Sequence, residues 1–492
     1  MECVEAEAVY DAGRDSCVTL ILELTGQLEG LAAHNKRLEE RIMRLEDELR
    51  KNSSNSSTPP SQDPPKSRAE RRRIAKEKAK MWSQAEGEPR KRGAQHGHKG
   101  AGRGLLPEEQ IEEIIDHYPD ACGGCGQEFS QQDRESTERF GRHQVSDLPP
   151  IAVSYREHRT HRLRCPCCGK RTTAKLPPEV GDSSFGAGLQ AAVLTLTARN
   201  RVSRRDMSEL SGELFGGHMS SGAVDAICQR AAVALSEPHQ RLVEQVLASH
   251  ALNVDETGWF TAHEQRTLWT ATTPEAAIFR IAADRHRDRL EELIGKDFKG
   301  IVGSDRWWAY ELIDPESRQA CWCHLNRDFT YHAAGALPEQ KQFGLACLEL
   351  SKGLFKLWHS FAEHSDRGRL QREMAPVQDE LRALLEHAGR KSTYTRFHRR
   401  FANNLLKIWP ALFTFVTVEG VEPTNNAAER SLRGPVIYRK LSHGTQSEDG
   451  EHFIERALSA SVTCRLQGRS LFAYLRELLT AHARGDPLPT LV

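Results

Sequence analysis

The residues best placed to do chemistry are carboxylates and thiols held in short motifs. "ALNVDETGWF" (251–260) carries Asp255, "GIVGSD" (300–305) ends on Asp305, and "PTNNAAERSLR" (423–433) carries Glu429. Taken singly, each acid reads as a strand-end turn residue or a solvated helix residue. Two aspartates brought close together repel unless a cation sits between them, and a third carboxylate oxygen suits a site for Mg²⁺. A pair of Mg²⁺ ions so held supports phosphoryl transfer. Arg430 and Arg433, beside Glu429 and one turn along the same helix, are placed to contact phosphate.

The thiols form a second constellation. "CGGCG" (Cys122, Cys125) and "CPCCGK" (Cys165, Cys168) each set two sulfurs two residues apart and follow them with glycine. That turn lets both sulfurs face one ion, so two such knuckles supply four soft ligands for a structural, tetrahedral Zn²⁺ with no open position. Cys167 stands as a substitute ligand, and a pair of redox dithiols is the competing reading. The 39 residues between the knuckles must double back, and "IAVSYREHRTHRLRC" alternates enough to be a strand running into the second one.

Elements far apart in the chain must bring the carboxylates together. "ALNVDETGWF", "RTLWTATT" and "AIFRIAADR" are β-rich runs with short connections, which predicts an antiparallel meander. "HRDRLEELIG" has helical spacing and precedes the apolar run that ends on Asp305. Three antiparallel strands, a helix and a further strand match the opening of a ribonuclease-H-like fold, where the first and fourth strands lie side by side. Asp255 and Asp305 then fall at neighbouring strand positions. "NNAAERSLR" reads as the first turns of a helix that Asn425 or Asn426 could cap. Such a helix, crossing back over the sheet, carries Glu429 to the aspartates. A helical insertion occupies roughly 338–410, and Cys321-x-x-His324 reads as a packed strand–helix junction rather than a zinc half-site.

Upstream, Ile21, Leu28, Asn35, Ile42 and Leu49 fall at heptad position a, with Cys17, Leu24, Leu31, Leu38 and Leu45 at d. That pattern favours a parallel two-stranded coiled coil. "NSSNSSTPPSQDPPK" follows as a linker that cannot bury apolar surface. Lys66–Arg103 holds 13 Lys/Arg against four Glu, a density that favours a phosphate-binding arm, with Arg71, Arg72, Arg73, Arg90, Lys91 and Arg92 as its contacts. Ala187–Arg199 reads as an apolar helix. The next stretch reads as helix, glycine turn and a second helix opening at Ser220, equally compatible with DNA-binding helix-turn-helix and with a plain helical hairpin.

A chain of 492 residues with 38% hydrophobic and 28% charged content suits several soluble domains. No apolar run is long enough to span a membrane, and the acidic opening "MECVEAEAVYDAG" has the wrong polarity for a secretory signal, so a cytoplasmic setting is expected. Twelve cysteines in so long a chain do not make a disulfide scaffold.

In this order the motifs resemble those of the large transposases of the insertion-sequence-66 family, which use a DDE catalytic core. The likeness runs from the zipper through "GAQHGHKG", the knuckles, "NVDETGW", "GSDRWWAYE", "CWCHLNRDF" and "PTNNAAERSLR" to "LFAYLRELLTAHARGDPLP". One departure is "VIYRKLSHGTQSEDGEHF", where the family usually carries an aromatic stretch. The resemblance implies Asp255, Asp305 and Glu429 as the catalytic triad, holding two Mg²⁺ (Mn²⁺ can substitute), with Cys321 and His324 shaping the core. It implies cleavage at terminal inverted repeats and strand transfer into target DNA, in a bacterial, nucleoid-associated setting. The expected partners are DNA, a second copy through the zipper or a higher oligomer, and small accessory proteins of the element. The competing functions are a structure-specific nuclease on the same core and a DNA-binding regulator descended from a transposase.

The expected architecture is therefore multidomain α+β: a coiled coil (1–51), linker and basic arm (52–104), zinc unit (105–180) and helical segment (181–248). A ribonuclease-H-like core with its insertion (249–445) and a C-terminal helical segment (446–492) follow.

Overall fold

The computed structural model describes residues 10–50, 67–69, 72–73, 104–135, 141–148, 151–180, 183–335, 337–390 and 396–491. It divides into two units, Pro65–Ala152 and Met1–Pro64 with Val153–Val492.

The second unit holds a mixed sheet among many helices. Its strands are β3 (Ala251–Thr261), β4 (Glu264–Thr272), β5 (Ala277–Ala282), β6 (Ile301–Ser304) and β7 (Arg318–Ala320), in the order β5-β4-β3-β6-β7. A separate two-strand ribbon precedes them, β1 (Arg162–Arg164) with β2 (Arg171–Thr173). The meander is present: β3, β4 and β5 are antiparallel neighbours, and β6 lies parallel beside β3. The register pairs Asn253 with Gly303, so Asp255 and Asp305 sit equally far beyond the last paired residues. The expected strand over residues 151–165 is cut down to Arg162–Arg164. Alternation alone cannot make a strand without a partner, and the short β2 offers only three residues.

The β3–β4 hairpin turns at Ala262 and His263, both with positive φ. Gly444 holds this turn from outside: a Cβ there would lie 2.1 Å from the Phe260 carbonyl oxygen. Its absence lets the Thr445 amide donate to that same oxygen at 2.9 Å.

Helices in this unit are α1 (Arg14–Arg50), α2 (Ala187–Leu194, continued as a π turn to Arg199), α3 (Arg204–Phe215), α4 (Ser221–Ala234) and α5 (Ser236–Leu247). Ser203 and Ser220 cap α3 and α4 through their side-chain oxygens. After β5 comes α6 (Arg287–Ile294), and after β7 come α7 (Trp322–Ala333), α8 (Pro338–His364), α9 (Arg367–Arg390), α10 (Arg396–Lys407) and α11 (Trp409–Thr417). The helical insertion thus runs past its expected end near Pro410, because Pro410 sits in the first turn of a new helix, where its missing N–H costs nothing. Buried Trp322, Phe329, Leu354, Leu381 and Phe415 give the insertion its own core.

Three helices complete the unit: α12 (Asn426–Ser442), α13 (Glu448–Leu466) and α14 (Leu471–Arg484). Edge strand β5 would leave backbone donors bare, and α13 covers them with side chains one turn apart. Thr463 Oγ1 accepts from the Ala277 amide (3.1 Å), Ser459 Oγ from Phe279 (3.0 Å) and Glu455 Oε1 from Ile281 (2.6 Å). Among the described residues no helix is long and apolar enough to cross a membrane. In α1 the heptad residues Leu28, Leu31, Ile42 and Leu45 are exposed.

Candidate active site

Strand alternation sends Asp255 and Glu256 to opposite faces of β3. Glu256 is closed off, its side chain only 3% exposed, paired with Arg285 and accepting a 2.5 Å hydrogen bond from the Tyr310 hydroxyl. Arg285 in turn lies 3.9 Å over the Trp307 ring. Burial, then Asp305, raise the Glu256 carboxyl despite Arg285. Asp255 takes the face toward α12, where Trp259 of the same strand stacks on Tyr438 at 6.2 Å.

The Asp305 side chain is set by an Asx-type turn: the Trp307 amide donates to Oδ1 at 2.8 Å. Arg318, buried at 2% exposure, braces the same loop. It donates to Ser304 Oγ (3.0 Å), to the Tyr310 carbonyl (3.2 Å) and to the Asp305 carbonyl (2.5 Å). Burial brings its guanidinium down to about 10, against the pull of Asp305 and Tyr310. Arg318 thus fixes the backbone of Asp305 and leaves the carboxylate free to face a ligand.

Glu429 enters from the first turn of α12. Asn425 is the residue before that helix, but its side chain makes no capping bond, contrary to expectation. Instead its Nδ2 donates to the Val254 carbonyl at 2.9 Å, tying the helix start to the strand residue beside Asp255. The Asn425 amide donates to Cys321 Sγ at 3.2 Å, and the Trp322 amide to the Pro423 carbonyl at 2.9 Å. Cys321 closes β7 and opens α7, the strand–helix junction expected of it.

Cys321, His324 and Glu429 offer ligand atoms that all lie within 4.8 Å of one another, with His324 Nε2 3.7 Å from Glu429 Oε1. Cys321 donates to Cys323; that bond, then burial, raises Cys321, and the same bond brings Cys323 down to about 7 against its own burial. Burial would lower His324, but its contact with Cys321 and the Asp305 charge outweigh this, and it ends raised.

Asp255 feels carboxylates from two distant segments. Burial, then Glu256, Asp305 and Glu429, push Asp255 well above the usual carboxylate range. Glu429 Oε1 is buried with no hydrogen-bond partner. A hard divalent cation fits this donor set, because it would relieve the repulsion and take up the orphan oxygen.

Each knuckle is locally well formed. The Gly126 amide donates to the Cys122 carbonyl and the Gly169 amide to the Cys165 carbonyl, both at 2.9 Å, and both glycines have φ above +70°. The Cys125 and Gly124 amides lower the Cys122 thiol, as those of Cys168 and Cys167 lower Cys165. Arg72 and Arg73 are helical, whereas Arg71, Arg90, Lys91 and Arg92 lie outside the described residues. Arg430 and Arg433 are exposed on α12. Sequence reasoning missed Glu256, Tyr310, Arg318 and the Asn425 stitch; an acid next to Asp255 on the opposite strand face was the available signal for Glu256.

The profile of the "Transposase IS66 family" matches residues 182–452, and that of a "Family of unknown function (DUF6444)" matches residues 8–104. Two relatives come from Sinorhizobium fredii (strain NBRC 101917 / NGR234). "Uncharacterized protein y4qI" is 24% identical over 240 residues, covering 46% of this chain and 44% of the relative. "Uncharacterized protein y4hP" is 23% identical over 408 residues, covering 75% and 71%. The chain thus spans less than half the length of the first and more than two thirds of the second.

Proposed function

The chain belongs to the IS66 family of transposases, and from that premise we propose that it is a DDE-type enzyme that cleaves and joins DNA at the inverted repeats of its element. One observation carries the reading. Asp305 and Glu429, from distant segments, both act to raise the Asp255 carboxyl, and among the described residues no lysine or arginine offsets them there. A divalent metal is implied by the family, and in this reading Asp255, Asp305 and Glu429 hold Mg²⁺. When bound, the metal supplies a lowered pKa for water or hydroxyl and a charge to match the leaving oxygen.

The remaining chemistry belongs to the chain. Arg318 and the Asp305 turn keep one carboxylate aimed outward, while Asn425 sets the distance of α12 from β3. His324, half a helix turn into the same junction, steadies Glu429. Arg430 and Arg433 attract the phosphodiester backbone. The five-stranded order with β6 parallel to β3 supports a ribonuclease-H-like core, with α8–α11 as its insertion. In the same reading the two knuckles share one structural Zn²⁺, the basic arm grips DNA and α1 pairs with its copy.

The test is strand cleavage and transfer by the purified chain on labelled end DNA. Products that require Mg²⁺ or Mn²⁺ and carry a 3′-hydroxyl are expected. Binding of the end without cleavage in either metal would overturn the enzyme reading and leave a DNA-binding regulator.

A further inference from the structure

We infer that a cavity on the far flank of α12 holds one or two nucleotides of unpaired DNA, phosphates at its arginine rim and a base against its apolar floor. The inference rests on the transposase reading and adds a site separate from the carboxylates. Ala427, Arg430, Ser431, Gly434 and Ile437 line it at helical spacing, while Glu429 lies roughly half a turn round the helix from Ala427 and Ser431. One helix therefore presents the carboxylate to one side and this cavity to the other.

The cavity measures about 700 Å³, inside the roughly 300–1,000 Å³ range of small-ligand sites. Its floor comes from Leu252, Ile301, Val421 and Val462. Arg201, Arg430, Arg433 and Arg465 line it from three separate segments, against a single carboxylate, Glu422. None of the four guanidiniums makes an ion pair or hydrogen bond among the described residues. Their neighbour Arg199 shows the contrast, donating to the Ser461 carbonyl at 2.8 Å. Arg201 also holds a left-handed backbone, φ 66°, a conformation that a non-glycine residue adopts at a cost. Its Nη1 would lie at an ordinary contact distance, 3.6 Å, from a Cβ added at Gly434, so the guanidinium rests against the helix.

Four uncompensated charges around an apolar floor fit a ligand that is anionic at its edge and flat and apolar within. A duplex offers phosphates but no free base, so an unpaired strand matches both halves. Phosphate held by several guanidiniums releases bound ions, so binding should weaken as salt rises.

The test uses the full chain and a short oligonucleotide carrying 5-iodouracil, cross-linked by light and mapped by mass spectrometry, which separates the cavity from the basic arm. Cross-links to residues 427–437 or 462–466 are expected with single-stranded DNA and not with blunt duplex. Arg201→Ala with Arg465→Ala should lower that cross-link about tenfold and flatten its log–log salt dependence by about 1.4. Ile437→Asp, at an exposed position (46%), should act in the same direction, while Arg201→Lys with Arg465→Lys should keep most of the signal. Cross-links elsewhere, indifference to these changes, or displacement by inorganic phosphate or a mononucleotide as readily as by oligonucleotide would each overturn the inference. Those outcomes with metal-dependent cleavage intact refute the cavity alone; loss of cleavage in the wild-type chain refutes the reading beneath it.

Discussion

The carboxylate cluster and the cysteine knuckles both gather side chains of metal-ligating type, and they are built in opposite ways. Each knuckle is local: a five-residue turn, closed by its own backbone bonds, whose amides lower a partly exposed thiol. The carboxylate cluster is assembled across the chain, with a hydrogen bond between residues 171 apart setting the helix that carries Glu429. In it, Asp255 is pushed up by burial and by its acidic neighbours. A local turn therefore holds its ligands whether or not the rest is packed, whereas the cluster exists only as long as the sheet and α12 stay docked.

The largest expected effect breaks the cluster's charge without touching its packing. Asp255→Asn or Asp305→Asn should cut strand cleavage by about a thousandfold or more. Because the folded state raises the Asp255 carboxyl above its unfolded value, this acid costs stability as pH rises through the folded value. Asp255→Asn should therefore raise the thermal midpoint at pH 8 in chelator, a shift that calorimetry would detect. A lower midpoint would mean that the acids do not repel.

Asn425→Ala asks whether docking is what makes the cluster. Removing the bond to the Val254 carbonyl should cost about 1–3 kcal/mol of stability and about tenfold in cleavage. Denaturant unfolding and single-turnover kinetics measure the two. Full activity would show that α12 is placed without that bond.

Cys165→Ser tests the local half of the contrast. Metal analysis should show the loss of one Zn²⁺ per chain, while unfolding of the sheet-containing core shifts by less than about 1 kcal/mol. Collapse of the core transition would show that the knuckle is not self-contained.

The smallest effect concerns α13 and edge strand β5. Burial lifts Glu455 to about 7 while it accepts from the Ile281 amide. Its folded value exceeds the unfolded one, so stability should fall as pH rises from about 4.5 to 7. Glu455→Gln keeps an acceptor and should flatten that slope, gaining about 1 kcal/mol at pH 8 after allowance for its partial exposure. An unchanged pH slope would contradict the role.

The sequence made some of this legible for physical reasons. β-rich runs with short connections pointed to the meander, and the order of strands, helix and strand pointed to β6 beside β3. Asp255 and Asp305 fall at matching positions because β3 and β6 pair in parallel up to Asn253 and Gly303. Asn425 was expected as a possible cap, since a residue before a helix looks like one, but its Nδ2 donates to the Val254 carbonyl and its Oδ1 accepts no capping bond. Glu455, Ser459 and Thr463 drew no notice in the sequence, because spacing cannot tell a side chain in water from one that covers the bare edge of a strand. The run before Cys165 alternated like a strand but has only the three residues of β2 to pair with.

Glu429→Gln tests the central claim most directly, because it keeps the shape and one carbonyl oxygen while removing the charge. End binding and Mg²⁺-dependent cleavage would be measured on the same preparation, with unfolding as the control. The account predicts a stability change under about 0.5 kcal/mol, end binding nearly intact and cleavage down by about a hundredfold or more. Retention of more than about a tenth of wild-type cleavage, roughly a 1.4 kcal/mol effect, would contradict it and remove Glu429 from the site.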